Sequence, residues 1–376
     1  MKVLSIGYEK ELFKKDSTSW KRHVEYAKKV DEYHAIVFTR KESGFEKTEI
    51  SENCWSYPTG SKNKIGAFAD AYRLGKKILK EKGEWVISAQ DPFETGLVSY
   101  LLSRATGAPF LVQEHGDFFS ESYWREETLG NRLRYRLGLF ILARANHIRA
   151  VSARIRDTLT TLGVNKENIT VTHVYTDIES FSNVSTDTST QSLTEENEIL
   201  ILTMGRFVSQ KNLGLLIHAF ENILKRGLRA KLLIVGNGPL EEELKKYAKG
   251  ISGTHIIFKD WVENSSGVMK AADIYALSSN YEGWGRVCVE TLAVGTPLLM
   301  TDVGCAGELV IDGHDGLVVP IGDEWAFTEG LQRLATDKEL RERLAQGGKE
   351  TIAKMPTFER NVELYIESLK KTLNNS

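Results

Sequence analysis

Glu282-Gly283-Trp284-Gly285-Arg286-Val287-Cys288-Val289-Glu290 is the stretch that decides the fold. Ala276-Leu277-Ser278-Ser279, just before it, reads as a strand running out into a loop. Val287, Val289, Leu292 and Ala293 read as the inner face of a short helix, which Gly295 and Pro297 then stop. The loop-to-helix junction therefore falls at the glycines. Bare backbone N–H groups and the positive end of the helix dipole can meet an anion there. Glu282 and Glu290 flank that turn. Two acids beside an anion-binding turn suit a ligand that carries hydroxyls as well as phosphates.

Outward from this stretch, short β-rich runs alternate with helical patterns along the whole chain. Expected strands in the first half are Val3–Ile6, Ala35–Thr39, Trp85–Ser88, Pro109–Glu114, Ile148–Val151 and Ile169–Val174. Helix-like stretches such as Ile65–Glu81, Glu94–Thr106 and Arg154–Leu162 lie between them, and Asp91-Pro92 reads as an N-cap followed by proline at the first helical position. This alternation predicts a parallel sheet covered by helices on both faces. Residues 182–198, almost wholly polar, break the pattern and read as a linker. The alternation then restarts with Ile199–Thr203, Lys231–Val235, His255–Phe258, Ile274–Leu277 and Pro297–Thr301. The expected organisation is α/β, with two doubly wound domains at 1–181 and 199–356. A C-terminal helix over 357–376 is expected to pack back onto the first domain.

Length and composition agree. A chain of 376 residues exceeds the size at which one core stops growing. Hydrophobic content of 41% and charged content of 27% are those of an ordinary globular protein. A formal net charge of −2 gives no reason to expect nucleic acid as a partner. Cys54, Cys288 and Cys305 form no CxxC pair, which argues against a disulfide scaffold or a structural zinc and fits a reducing cytoplasm. The apolar start Val3–Gly7 is too short for a signal-peptide core, and no later run approaches the ~20 residues of a membrane helix.

In doubly wound sheets, ligands bind beyond the carboxyl ends of the strands. In the second half those ends carry Gly205-Arg206, Gly236-Asn237-Gly238-Pro239, Asp260-Trp261 and Glu282–Gly285, which should converge on one edge facing the hinge. Arg206 at a strand end and Lys211 at the next helix start suit a diphosphate, the arginine bidentately and the lysine as a point charge. Alone they would read as solvated surface cations; their place beside the Glu282–Glu290 turn favours a ligand role. Gly236–Pro239 is either a turn that lets a ligand approach the backbone or merely a turn. His115, ending a strand in the first half, either donates to a substrate hydroxyl or is structural. No GxGxxG follows any strand, so the nicotinamide-cofactor fingerprint is missing and a dehydrogenase is disfavoured. No DxD pair occurs, so a departing diphosphate would be neutralised by Arg206, Lys211 and the helix N-terminus. Eight arginines lie between Arg125 and Arg156, interleaved with Leu133, Leu137, Leu139 and Phe140. Such a segment can rest on anionic lipid, or pack one face inward and solvate the other.

With these residues in hand, the chain resembles the retaining glycosyltransferases of family 4, which have the GT-B fold: two Rossmann-like domains facing a central cleft. The likeness is strongest over Ile199–Asp323, in Gly205-Arg206 with Lys211, Gly236–Pro239, Glu282–Glu290, Gly295-Thr296-Pro297 and Asp312–Pro320. The two glutamates at their spacing are the specific element. Weaker likeness lies in Asp91–Gly96, His115–Asp117, Val151-Ser152 and Asp177–Phe181. The resemblance implies that Arg206 and Lys211 bind the donor diphosphate, and that Glu290 accepts from the ribose diol. It implies that Glu282 contacts donor-sugar hydroxyls with the Gly283-Trp284-Gly285 backbone close by. His115 would lie near the transferred sugar and Val262 near the base, with Gly236 beside the donor. The chain has Gly7-Tyr8-Glu9-Lys10 where the family often has a glycine pair, and Val174–Asp177 where it has an asparagine-glycine turn.

The reaction so implied is retaining transfer of a hexose from a nucleoside-diphosphate sugar to an acceptor hydroxyl, without metal or cofactor. The acceptor would be a sugar or lipid-linked glycan in polysaccharide, glycolipid or cell-envelope synthesis. Residence in the cytoplasm is expected, with peripheral contact on the inner face of the membrane open. The departing phosphate oxygen can take the acceptor proton, so neither glutamate need be a general base and a paired-carboxylate hydrolase is set aside. Arg206, Lys211, Glu282 and His115 are the expected catalytic set. A sugar-nucleotide epimerase of the same architecture, or a non-catalytic nucleotide-sugar binder, remains as the alternative.

Overall fold

The computed structural model describes residues 1–120, 122–252 and 255–375. Mainly apolar runs such as Trp85–Ala89 and Phe110–Glu114 become strands buried on both faces, the condition of a parallel sheet under helices. The chain forms two compact units, Met1–His173 with Thr357–Ser376, and Val174–Pro356.

The first unit contains β1 (Lys2–Gly7), β2 (Glu32–Val37), β3 (Thr48–Ser51), β4 (Cys54–Pro58), β5 (Trp85–Ala89), β6 (Phe110–Glu114), β7 (His147–Ala150) and β8 (Ile169–Val171). They lie in the order β3-β4-β2-β1-β5-β6-β7-β8, all parallel except β3 against β4. The edge pair β3 and β4 was not expected. Thr48-Glu49-Ile50-Ser51 buries only Ile50, so β3 carries no strong apolar signal. Asn53, between them, fixes the pair from outside by donating to the carbonyls of Ala27 and Val30. The helix Phe358–Asn374 buries Val362, Tyr365, Ile366 and Leu369 at helical spacing against this unit's core. Its Tyr365 hydroxyl meets Ser88 on β5 and Tyr33 on β2, both at 3.1 Å.

The second unit contains β9 (Ile199–Met204), β10 (Ala230–Val235), β11 (Ile256–Lys259), β12 (Ile274–Leu277), β13 (Leu298–Thr301) and β14 (Leu317–Val319). The order is β11-β10-β9-β12-β13-β14, parallel throughout. Its core joins the helix Leu213–Lys225 to β9, β10 and β12 through Leu216, Phe220, Ile201, Ile234 and Ala276.

Two expectations need correction. Residues 182–198 are not a free linker. Thr188–Gln191 is a helical turn capped by Asp187, Thr190 is fully buried, and Asp187 N–H donates to the Gly267 carbonyl. Lys270 Nζ also donates to the Val184 carbonyl, so this polar segment is held by hydrogen bonds rather than apolar burial. The unit boundary accordingly falls at 173/174. Asp91-Pro92 does not open the next helix, which begins at Glu94. Asp91 instead accepts from the Phe93 N–H at 2.7 Å in a preceding turn. Among the described residues, no helix is long and apolar enough to cross a membrane.

Candidate active site

In the second sheet the strand order reverses between neighbours β9 and β12, so the loops leaving them diverge and open a crevice at the carboxyl edge. Both loops carry the expected charged residues. After β9, Gly205 N–H donates to the Val235 carbonyl and Phe207 N–H to Asn237. That path is permitted by two glycines on the neighbouring turn. Gly236 has φ of +137°, and a Cβ there would stand 2.0 Å from the Gly205 carbonyl oxygen. A Cβ on Gly238 would stand 2.6 Å from the Phe207 carbonyl oxygen. The close approach at this turn is therefore of chain to chain.

Arg206 is exposed, and its guanidinium makes no hydrogen bond or ion pair among the described residues. Lys211 ends a short 3-10 turn, Ser209–Lys211. Asn212 then takes the left-handed conformation, φ 42°, and caps the helix Leu213–Lys225. This loop is sewn to the one after β12. Asn280 N–H donates to Gln210, Asn280 Nδ2 to Ser209, Asn212 Nδ2 to Asn280 Oδ1, and Ser278 Oγ to Lys211.

Those bonds place Glu282, only 8% exposed, against Lys211. Its Oε1 accepts from Lys211 Nζ at 2.6 Å and from Ser279 Oγ at 2.8 Å. Its Oε2 has only a long 3.4 Å approach from Gln210 Nε2 and keeps acceptor capacity for a hydroxyl. Thr301 Oγ1 on β13 donates to the Ser279 carbonyl at 2.6 Å and fixes the whole corner. The sequence treats Lys211 and Glu282 as separate contacts; the structure joins them in one ion pair.

Gly285, with φ of +84°, is the N-cap of the helix Arg286–Val294, and no side chain caps that end. Trp284 is buried, only 2% exposed. Gly304, in the loop after β13, packs beneath, where a Cβ would stand 2.7 Å from the Trp284 carbonyl oxygen. Glu290 is half-buried one helical turn on from Arg286, whose Nη2 lies 3.2 Å from its Oε1. Burial raises the Glu290 pKa and Arg286 works against that rise. Val262 is half-buried and follows Trp261, 51% exposed.

His115 belongs to the first unit, at the end of β6, and its surface is exposed. Crowding by surrounding protein, then the Arg149 and Arg22 guanidiniums, push its pKa below the ordinary value. The imidazole is neutral. Glu114 beside it is fully buried, and burial, then Asp91 and Asp117, raise its pKa well above the ordinary carboxylate value. In the first loop, burial disfavours the Glu9 carboxylate, but Arg22, His23 and Ser19 more than offset this and hold its pKa at about 2. Arginines of the Arg125–Arg156 run diverge. Arg149 is buried against Gln113, Arg134 pairs with Glu94, and Arg132 and Arg136 stay exposed on the helix Leu129–Leu142.

Ser279, Gln210, Asn280 and Gly304 were missed by sequence reasoning. The polar cluster Ser278-Ser279-Asn280 directly after an apolar strand was the available signal, since such residues bond locally to backbone.

The chain is thus an α/β protein of two units, with Arg206, Lys211 and Glu282 gathered at a strand-order reversal of the second. Residues 185–351 match the model for glycosyl transferases group 1, and residues 22–180 that for glycosyltransferase family 4. The chain belongs to the group 1 glycosyltransferases, of the family 4 type and the GT-B fold. It is 32% identical over 45% of its length to the lipopolysaccharide core biosynthesis glycosyltransferase LpsE of Rhizobium meliloti, a match spanning about half, 49%, of that relative. It is 25% identical over 85% of its length to an uncharacterized glycosyltransferase of Methanocaldococcus jannaschii, covering 84% of that protein. Among solved structures, Anabaena HepE in complex with UDP-glucose superposes with a TM-score of 0.74 at 18% identity, over 98% of this chain and 99% of the other.

Proposed function

We propose that the chain is a retaining glycosyltransferase that moves a hexose from a nucleoside-diphosphate sugar to an acceptor hydroxyl in glycan synthesis. The observation that carries this reading is the Lys211–Glu282–Ser279 corner beside the unpaired Arg206, at the β9/β12 reversal. Arg206 and the uncapped start of the helix Arg286–Val294 take the diphosphate, and Lys211 reaches it with its remaining donors. Glu282 Oε2 accepts from the sugar hydroxyls, Glu290 from the ribose, and the backbone near Val262 meets the base.

In the step itself the anomeric C–O bond breaks and its electron pair stays on the diphosphate. The acceptor oxygen forms the new bond from the same face and gives its proton to the departing phosphate oxygen. Protein groups then act by electrostatics and placement rather than by proton transfer. A neutral His115 suits a hydrogen-bond donor near the transferred sugar. The exposed Arg206, the Lys211 donors that Glu282 leaves unused and a helix end supply the counter-charge, so the reading takes no metal.

Transferase names on the relatives, and the complex of HepE with UDP-glucose, favour transfer from a nucleotide sugar over epimerisation. Cytoplasmic residence with contact to an anionic membrane belongs to the same reading. Leu129 and Leu133 are 76% and 68% exposed beside Arg132 and Arg136. Product analysis is the test. A panel of UDP-, GDP- and ADP-sugars with candidate acceptors should give an α-linked glycoside from an α-linked donor. An epimerised donor with no glycoside, or an inverted product, overturns the reading.

A further inference from the structure

At the carboxyl ends of β1 and β2 the first unit holds a cavity of about 530 Å³. Tyr8, Phe38 and Phe68 give it aromatic walls, and Lys10, Arg40, Lys64 and Arg134 face it with a single carboxylate, Glu94. Arg134 is already committed, its Nε lying 2.9 Å from Glu94 Oε1. Lys10, Arg40 and Lys64 are exposed, and none has a side-chain hydrogen bond or ion pair among the described residues. Three uncompensated cations around one cavity are not the overspill of a basic protein, since the chain carries a net charge of −2. Tyr8 and Phe38 meet edge to face at 5.2 Å, which fixes both rings.

Each part asks something of the ligand. A cavity of this size takes a small molecule, and its place beyond strand ends is where α/β sheets receive one. Aromatic faces suit the C–H faces of a sugar ring. Arg40 and the two lysines suit a phosphate or carboxylate. Partial burial, then the charges of Asp91 and Glu94, keep the Tyr8 phenol protonated and able to donate.

We infer that this cavity is the acceptor subsite and that the acceptor is a sugar bearing a phosphate or carboxylate. Its role as acceptor rests on the transferase reading; the ligand chemistry does not. The nucleotide-binding residues lie in the other unit, so the two sites can be loaded separately.

Calorimetry on the full chain tests this, with the nucleotide site first filled by whichever of UDP, GDP or ADP binds. The probes are glucose 6-phosphate, glucuronate, glucose and inorganic phosphate. At least one charged sugar should bind roughly tenfold or more tighter than both glucose and inorganic phosphate, and the tighter of the two identifies the anion. In the double variant Arg40→Ala/Lys64→Ala that preference should fall about tenfold, with nucleotide affinity and thermal midpoint unchanged. Equal binding of glucose and the charged sugars overturns the inference, as does inorganic phosphate binding as well as either, or a preference that survives the double variant. Transfer onto neutral sugars without charged-sugar binding would sink this inference and leave the transferase reading intact. Charged-sugar binding without any transfer would do the reverse.

Discussion

Lys211 Nζ stands 2.6 Å from Glu282 Oε1, joining the loop that leaves β9 to the loop that leaves β12. Both side chains are largely buried, so the pair is screened little by solvent. Removing one partner leaves the other charge buried and unpaired, which costs about 3 kcal/mol. Lys211→Met should therefore lower stability by that order, read from the midpoint of denaturant unfolding. Lys211→Met combined with Glu282→Gln should recover at least about 1 kcal/mol of it. Additive losses would show that the pair does not hold the corner together.

The same pairing divides the two cations by role. Lys211 is paired with Glu282, whereas the Arg206 guanidinium makes no hydrogen bond or ion pair among the described residues. Arg206→Ala should weaken nucleoside-diphosphate binding by roughly tenfold or more while leaving the thermal midpoint in place. Calorimetry with the diphosphate that binds best checks it. If Lys211→Met proved the more damaging to binding and harmless to stability, the division would be wrong. With that counter-charge built in, transfer should also persist in excess chelator. Activity lost to chelator and restored by a divalent cation would replace the metal-free reading.

Much of this was legible in the sequence because the strands concerned are continuous apolar runs and the loops after them are rich in glycine and charge. Ile274–Leu277 and the Gly285 helix start could be read almost to the residue. The lysine–glutamate contact could not, since it depends on Asn212 adopting a left-handed backbone and on Asn280 stitching the loops. Nothing in a linear pattern announces either. Residues 182–198 misled for the opposite reason. Their polarity matches a linker, while their hydrogen bonds to Gly267 and Lys270 match a folded segment.

Gly236 offers a backbone test of how the site is built. Its φ of +137° is one that side chains rarely adopt, and its Cβ position lies 2.0 Å from the Gly205 carbonyl oxygen. Gly44 also has positive φ, +64°, but nothing lies within 4 Å of its Cβ position. Gly236→Ala should cost at least about 2 kcal/mol and disturb diphosphate binding through Arg206, whereas Gly44→Ala should cost about 1 kcal/mol and leave binding alone. Equal costs would mean that the turn can shift away from Gly205 freely.

Glu114 gives the pH prediction. It is fully buried at the end of β6, and burial, then Asp91 and Asp117, raise its pKa well above 4.5, with the Gly116 N–H opposing only in part. In the unfolded chain the carboxyl ionises near its ordinary value. Below that value it is protonated in both states and costs nothing. Above it the unfolded state gains by losing the proton while the native state cannot, so this residue's contribution to stability falls as pH rises toward the folded pKa. Glu114→Gln keeps the shape and removes the titration. The variant should match the wild type near pH 4 and become progressively more stable than it from pH 5 to pH 8, by denaturant midpoints in matched buffers. A variant less stable by an amount independent of pH would show that Glu114 is held by hydrogen bonds that glutamine cannot copy, and that its burial in neutral form is not what sets its pKa.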